Sequence, residues 1–257
     1  MANEKSSISL IGAGNVGYHL GRRLHERGFA IQQVFSRHLA RAEKLAQAIS
    51  AEAVDQLDNI RDDADLYILA VHDDAIAEVA AKLPITNKLL VHTSGATPST
   101  VLAPHAERFG ILYPLQTFSA HRPVDVEQIP VCVFANSDED VQLLEQIARQ
   151  ISSRVYRIDD AQRAILHVAA VFVNNFANYM FQVGYDILER EDLAFDLLRP
   201  LILETAQKVQ DNPPGAMQTG PAVRGDQATI EKHLKYLQQF PAYQELYKIL
   251  TRHIQNL

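Results

Sequence analysis

The stretch Ile8-Ser9-Leu10-Ile11-Gly12-Ala13-Gly14-Asn15-Val16-Gly17 decides how the rest of the chain is read. It begins as a short apolar run, its glycines fit the spacing Gly-x-Gly-x-x-Gly, and an amphipathic segment from Val16 to Arg27 follows at once. The glycine spacing alone is a weak signal; its position between a strand and a helix gives it meaning. Gly12 suits the tight turn, Gly14 lets a pyrophosphate approach the backbone, and Gly17 lets the helix pack closely on the strand. The first N–H groups of the helix have no partner within it and carry partial positive charge, so they favour phosphate. Gly12, Gly14, Asn15, Val16 and Gly17 are therefore the candidate residues for a dinucleotide. The competing reading is a glycine-rich turn with no ligand.

Outward from this turn, short apolar runs alternate with amphipathic segments. Ile8 to Gly12, Ala30 to Ser36, Leu66 to Val71 and Leu89 to Thr93 read as strands, while Val16 to Arg27, Leu39 to Ile49 and Ala75 to Lys82 read as helices. Further strands are expected near Ile111 to Leu115, Val131 to Phe134 and Arg154 to Ile158, with a helix from Asp138 to Gln150 capped by Ser137. This alternation predicts an α/β fold whose N-terminal part is a Rossmann parallel sheet covered on both faces.

After about Asp159 the pattern becomes helical only. Asp159 and Gln162 form a capping pair that opens a helix running to about Glu189. A second helix is expected from Leu193 to Val209, then a Gly/Pro-rich break from Asp211 to Asp226, then two helices parted at Phe240-Pro241. The organisation expected is a Rossmann domain over residues 1–158 and an all-helical domain over residues 159–257.

The second strand of a dinucleotide-binding unit ends about 20 residues beyond the glycines, where an acid holds the ribose of NAD. Here that end reads Val34-Phe35-Ser36-Arg37-His38, and no acid occurs between Gly28 and Ala42. Ser36 can hydrogen-bond a 2′-phosphate and Arg37 can pair with its charge, with Arg41 one helical turn later. The cofactor expected is NADP. Solvated surface cations are the alternative.

Of the 257 residues, 47% are hydrophobic and 21% charged, the composition of a folded globular chain. A net charge of −7 disfavours nucleic acid, which needs clustered Lys and Arg. Cys132 is the only cysteine, so neither an internal disulfide nor a cysteine metal cluster is possible, and no metal site is expected. The uncharged run from Ala164 to Tyr185 holds His167, Asn174, Asn175, Asn178 and Gln182, too polar for hydrocarbon. The opening MANEKSSISL lacks a basic segment followed by an apolar one, so no signal peptide is expected. These features fit a cytoplasmic protein without membrane partners.

On the long helix, Ile165, Ala169, Phe172, Phe176, Met180, Val183 and Ile187 make one continuous stripe. At about 100° per residue, His167, Asn174 and Asn178 fall within about 40° of one another on the opposite side. With no charge there, the helix is expected to be covered on both sides, and its polar groups then need partners. A network between helices or at a dimer interface would satisfy them. For His167 and Asn174 a chemical role is the sharper reading: His can move a proton near neutral pH, and Asn can hold a carbonyl or imine without titrating.

Ligands of a parallel sheet sit beyond the carboxyl ends of its strands. Val71-His72-Asp73-Asp74, His92-Thr93-Ser94-Gly95 and Tyr113-Pro114-Leu115-Gln116-Thr117-Phe118 all lie there. Val71 is a candidate cofactor contact and Ser94 a candidate for positioning substrate. Asp73 or Asp74 serves equally well as a helix cap, and Thr97-Pro98 reads as a helix start. Farther on, Thr219 to Asp226 reads TGPAVRGD: Asp226 caps the next helix, and Arg224 suits a substrate carboxylate or a plain surface turn.

GAGNVG (Gly12 to Gly17), HTSG (His92 to Gly95), PLQTF (Pro114 to Phe118) and TGPAVRGD together span most of the chain. With them the sequence resembles Rossmann-like NADP oxidoreductases that carry a C-terminal helical domain of unknown function. The resemblance implies a fold similar to pyrroline-5-carboxylate reductase and 6-phosphogluconate dehydrogenase, with a helical domain that closes the cleft and builds a homodimer. Two departures stand out. The family usually has His where Tyr113 precedes PLQTF, and the catalytic Lys of related hydroxyacid dehydrogenases is missing from the long helix, where His167 lies in the comparable region. The function expected is NADP-dependent hydride transfer to or from a small carbonyl or imine, with His167 as acid/base, Asn174 and Ser94 positioning, and Arg224 gripping a carboxylate. A non-catalytic dinucleotide sensor and an F420-dependent NADP reductase are the rival readings.

Overall fold

A computed structural model describes residues 6–119 and 124–257; residues 1–5, on which the signal-peptide expectation partly rests, lie outside it. The strands are β1 (Ile8–Ile11), β2 (Ile31–Phe35), β3 (Glu52–Val54), β4 (Leu66–Leu69), β5 (Leu89–His92), β6 (Arg108–Pro114), β7 (Val131–Ala135) and β8 (Val155–Arg157). They form one sheet in the order β3-β2-β1-β4-β5-β6-β7-β8. Strands β1 to β6 pair in parallel, as a βαβ alternation requires. The parallel Rossmann sheet expected from sequence is present, and it is extended by β7, which runs antiparallel to β6, pairing Gly110 with Ala135 and Pro114 with Val131. Between these strands the described chain has only a 3-10 turn, Val126–Gln128, and no crossover helix, so the second strand returns in the opposite direction.

Helices α1 (Asn15–Glu26), α2 (Leu39–Ile49), α3 (Ile76–Lys82) and α4 (Asp138–Ile151) cover this sheet. Neighbouring residues of the central strands feed different cores: Leu10, Ile68 and Val91 join Leu24, Leu45 and Leu144 on one face, while Ile11, Leu69 and Leu90 join Ile76 and Leu102 on the other. Each such Leu or Ile withdrawn from water contributes about 1.5–3 kcal/mol. Ser137 caps α4 by accepting from the Asp140 N–H at 3.2 Å, as expected. A smaller cluster of Ile111, Tyr113 and Cys132 receives Leu166 of the long helix.

That helix runs from Asp160 to Arg190. Asp159 and Gln162 form the expected reciprocal cap: the Asp159 carboxylate accepts from the Gln162 N–H at 2.8 Å, and the Gln162 side chain accepts from the Asp159 N–H at 3.1 Å. Two compact units divide within the helix, residues 1–170 and 171–257. α5 (Asp160–Ala170) belongs to the first unit; a π-helical turn, Val171–Phe176, and α6 (Ala177–Arg190) belong to the second. The π turn is wider than an α turn, so Asn174 and Asn178 do not keep the directions that a uniform 100° per residue predicts.

The second unit continues through α7 (Arg199–Asp211), α8 (Gln227–Tyr236) and α9 (Pro241–Gln255). α7 starts later than the expected Leu193 because Pro200 fits its first turn, where the missing N–H costs nothing. Asp226 caps α8 by accepting from the Thr229 N–H at 3.1 Å. Among the described residues of this unit, Ala222, Ile230 and Leu237 are the buried hydrophobics. The expected cover of the long helix is not supplied by one chain: Ile165 is 72% exposed, Phe172 64% and Val173 77%. By length and composition this helix could cross a membrane, yet its His, Asn and Gln residues are costly in hydrocarbon.

Among the described residues His92 is the most deeply placed imidazole, at 0% exposure in β5. Its Nδ1 accepts from the Ser94 N–H at 3.1 Å and its Nε2 lies 3.4 Å from the Pro98 carbonyl, which fits a neutral ring with the proton on Nε2. Burial pushes its pKa down to about 4. In the unfolded chain it titrates near 6.5. Between these values only the unfolded state takes up the proton, so stability is whole above about pH 6.5 and is lost as pH falls toward 4, by about 3 kcal/mol from this residue. Urea unfolding at pH 7.5 and 5.0 should record this fall, and His92→Asn, which keeps an acceptor for Ser94, should flatten it. An equally steep fall in the variant would remove His92 as the cause.

Candidate functional site

At the end of β1 the backbone turns through Gly12 at φ +126°, where a side chain would lie 2.2 Å from the Ala70 carbonyl oxygen and 3.3 Å from Val71. A Cβ at Gly17 would come within 2.0 Å of the Gly12 carbonyl oxygen, so α1 can start this close to the strand only with glycine there. A Cβ at Gly14 would meet nothing within 4 Å. The two closed positions shape the turn and the open one leaves room in front of it. No acid lies in the first turn of α1, so its N-terminal N–H groups keep their positive potential.

The PLQTF loop is fastened to this same turn. Asn15 donates from Nδ2 to the Phe118 carbonyl at 3.0 Å, His19 Nε2 lies 3.0 Å from the Ser119 carbonyl, and the rings of His19 and Phe118 stack at 5.2 Å. Sequence reasoning saw both segments and missed their contact, because an Asn and a His on a helix carry no mark of a partner a hundred residues away. At the end of β2, Ser36 is buried and its hydroxyl accepts from the His38 N–H at 3.2 Å, leaving its own proton to donate. Arg37 and Arg41 are exposed and have no ion-pair partner among the described residues.

A second cluster gathers at the carboxyl ends of β5 and β6. Tyr113, 9% exposed, points its hydroxyl at Nδ1 of half-buried His167, 3.4 Å away. Burial raises the Tyr113 pKa, Cys132 adds to the rise, and the cation of Arg163 opposes it. Gly95 sits against both rings: a Cβ there would lie 2.5 Å from His167 Nδ1 and 2.8 Å from the Tyr113 hydroxyl. Three segments distant in sequence thus converge on one point, and two of them offer a transferable proton.

The remaining expected residues fare differently. The Ser94 hydroxyl is buried inside its own turn, accepting from the N–H groups of Ala96 at 3.1 Å and Thr97 at 2.9 Å and donating to the Thr97 hydroxyl at 3.1 Å, so it is engaged in shaping the loop. Pro98 is extended and precedes a 3-10 turn, Ser99–Leu102, where a helix start was expected. Neither Asp73 nor Asp74 caps α3 with its side chain; His72 and the turn Asp73–Ala75 lead into it. Asn174 and Arg224 are exposed and lie in the second unit, whereas His167 lies in the first. Among the described residues no group of His, Cys, Asp or Glu could hold a metal ion.

Residues 7–95 match the family described as NADP oxidoreductase, coenzyme F420-dependent, and residues 129–254 match a domain of unknown function, DUF2520. No curated protein matches the chain. Among solved structures, a candidate NADP oxidoreductase from Bacteroides fragilis is 42% identical, with a TM-score of 0.93 and 99% of each chain covered. A pyrroline-5-carboxylate reductase from Coxiella burnetii is 18% identical, with a TM-score of 0.59 over 98% of this chain and 97% of that one. A reductive aminase from Aspergillus terreus, in complex with NADPH4, cyclohexanone and allyl amine, is 15% identical, with a TM-score of 0.67 over 98% and 93%. The last two show likeness of fold alone. Through the Bacteroides protein and the two domain matches in their order, this chain belongs to the NADP oxidoreductase family that joins a Rossmann-type N-terminal part to a DUF2520 C-terminal part.

Proposed function

We propose that this protein is an NADP-dependent oxidoreductase acting on a small imine or carbonyl compound in the cytoplasm. The observation that carries the reading is the convergence of Gly95, Tyr113 and His167 on the same edge of the sheet as the glycine turn. NADPH, when bound, supplies a hydride to the carbon of a C=N or C=O bond. Gly12, Gly14 and Gly17, with the N–H groups of Asn15 and Val16, would hold its pyrophosphate. Ser36 would bond the 2′-phosphate and Arg37 would pair with its charge, with Val71 against the nucleotide. His167 would donate the proton that the substrate nitrogen or oxygen needs, and Tyr113 would hold the ring through Nδ1. Asn174, as a neutral polar contact, and Arg224, as a carboxylate binder, stay candidates on their chemistry alone. The sheet's first half also matches the F420-dependent type, which favours a deazaflavin as the second reading for the partner in hydride transfer.

We also propose that two copies pair through the helical unit, with residues 159–257 acting as the domain that builds the pair and borders the substrate. A unit whose long helix leaves Phe172 and Val173 open, with so few buried hydrophobics, lacks the core that an independent fold needs.

NADPH oxidation followed across imines, keto acids, aldehydes and an oxidised deazaflavin tests the reaction. His167→Gln should cut kcat about 100-fold or more and Tyr113→Phe by less, with cofactor affinity kept. Equal rates in His167→Gln and the parent would remove His167 from the chemistry. Sedimentation equilibrium should give twice the 28.7 kDa chain mass, and Phe172→Asp should shift it toward a single chain. A monomeric parent would overturn the pairing.

A further inference from the structure

Among the described residues the largest fully buried side chain is charged: Arg163, 1% exposed, in the first turn of α5. Its NH1 donates to Asp160 Oδ1 at 2.7 Å, and its NH2 donates to the Thr97 carbonyl. Asp160 in turn accepts from the Ser99 N–H and the Ser99 hydroxyl, each at 2.8 Å on Oδ2. Burial would raise the Asp160 pKa, but the bonds from Ser99 and Arg163 outweigh it and hold the carboxyl below its usual range. Both partners on the sheet side, Thr97 and Ser99, belong to the loop that follows β5. The first turn of the helix and this loop are therefore tied at two points.

Between those ties and the end of β5 lies Gly95, the residue pressed against Tyr113 and His167. His92 and Ser94 fix the near side of the loop, through Nδ1 to the Ser94 N–H and through the Ser94 hydroxyl to the N–H groups of Ala96 and Thr97. Arg163 and Asp160 fix the far side. His167 stands four residues after Arg163, hence on the same face of α5. Among the described residues the Nε of Arg163 has no hydrogen-bond partner, so its two terminal nitrogens carry the bridge. Stability does not explain such a group, since well-packed apolar side chains in place of a buried ion pair are often as stable or more so.

We propose that Arg163 and Asp160 are positioning residues, which lock the Ser94–Ser99 loop to α5 and so set the approach of Gly95 and Tyr113 to His167. The role rests on the proposed reaction only for its effect on rate; its geometric content stands without it. A planar fork is needed because the bridge reaches a carboxylate and a carbonyl in different directions, which one ammonium cannot do.

The test uses the full chain with Arg163→Lys, Asp160→Asn and Ser99→Ala, the last removing a single hydroxyl and keeping the ion pair. The ring resonances of His167 are identified in the NMR spectrum as those absent from His167→Gln, and are recorded without cofactor or substrate. Lock of the loop predicts that they move or broaden in all three variants, least in Ser99→Ala. In turnover, kcat should fall tenfold to a hundredfold while the affinity for NADPH stays within about twofold. Folded variants with His167 signals identical to the parent would overturn the proposal, and if Arg163→Lys or Asp160→Asn fails to fold, Ser99→Ala decides alone. Absence of turnover in the parent would count against the proposed reaction, and the NMR arm would still decide the positioning role.

Discussion

There is no room for a side chain at the junction of β1 and α1, and the rest of the molecule is arranged around that fact. A Cβ at Gly12 would press on the Ala70 carbonyl, and one at Gly17 on the Gly12 carbonyl. The helix consequently begins right against the sheet, with its unpaired N–H groups directed at the edge where β1, β4, β5 and β6 all end. Parallel pairing carries the loops after β4, β5 and β6 to the same edge. The PLQTF loop is then pinned to α1 by Asn15 and His19. The proposed nucleotide site and the proposed proton-transfer site thus share one border because the strands that supply them run the same way.

The first unit also shows how polar groups are tolerated inside an apolar fold. His92 gives both ring nitrogens a partner, while the guanidinium of Arg163 is matched by Asp160 and a carbonyl. The two devices flank one loop, and the loop carries the residue that touches Tyr113 and His167. The second unit has the opposite character, with its apolar residues turned outward in a single chain. Such a surface is what a helical unit offers to a partner.

Much of this architecture was legible in the sequence, and the residues explain which parts were not. Helix α2 was read with its observed ends, because Leu39 to Ile49 keeps a clean apolar period. The caps at Ser137, Asp159 and Asp226 were readable because capping is a local event of two or three residues. Strand β3 was missed: Glu52–Val54 is too short to show alternation and is recognised only by its pairing with β2. The direction of β7 was missed because an apolar run carries no sign of polarity along the sheet. His167 was singled out, but its partners Tyr113 and Gly95 could not be assigned to it from positions so far apart. Arg163 was overlooked altogether, since a charge in the first turn of a helix ordinarily faces water.

The central claim is that the turn after β1 holds a dinucleotide and that Arg37 reads its additional phosphate. Calorimetric titration of the protein and of Arg37→Asp with NADPH and with NADH tests it most directly. The account predicts one site per chain, a preference of at least about tenfold for NADPH in the parent, and most of that preference lost in the variant. Neither nucleotide binding, or an undiminished preference in Arg37→Asp, would contradict it.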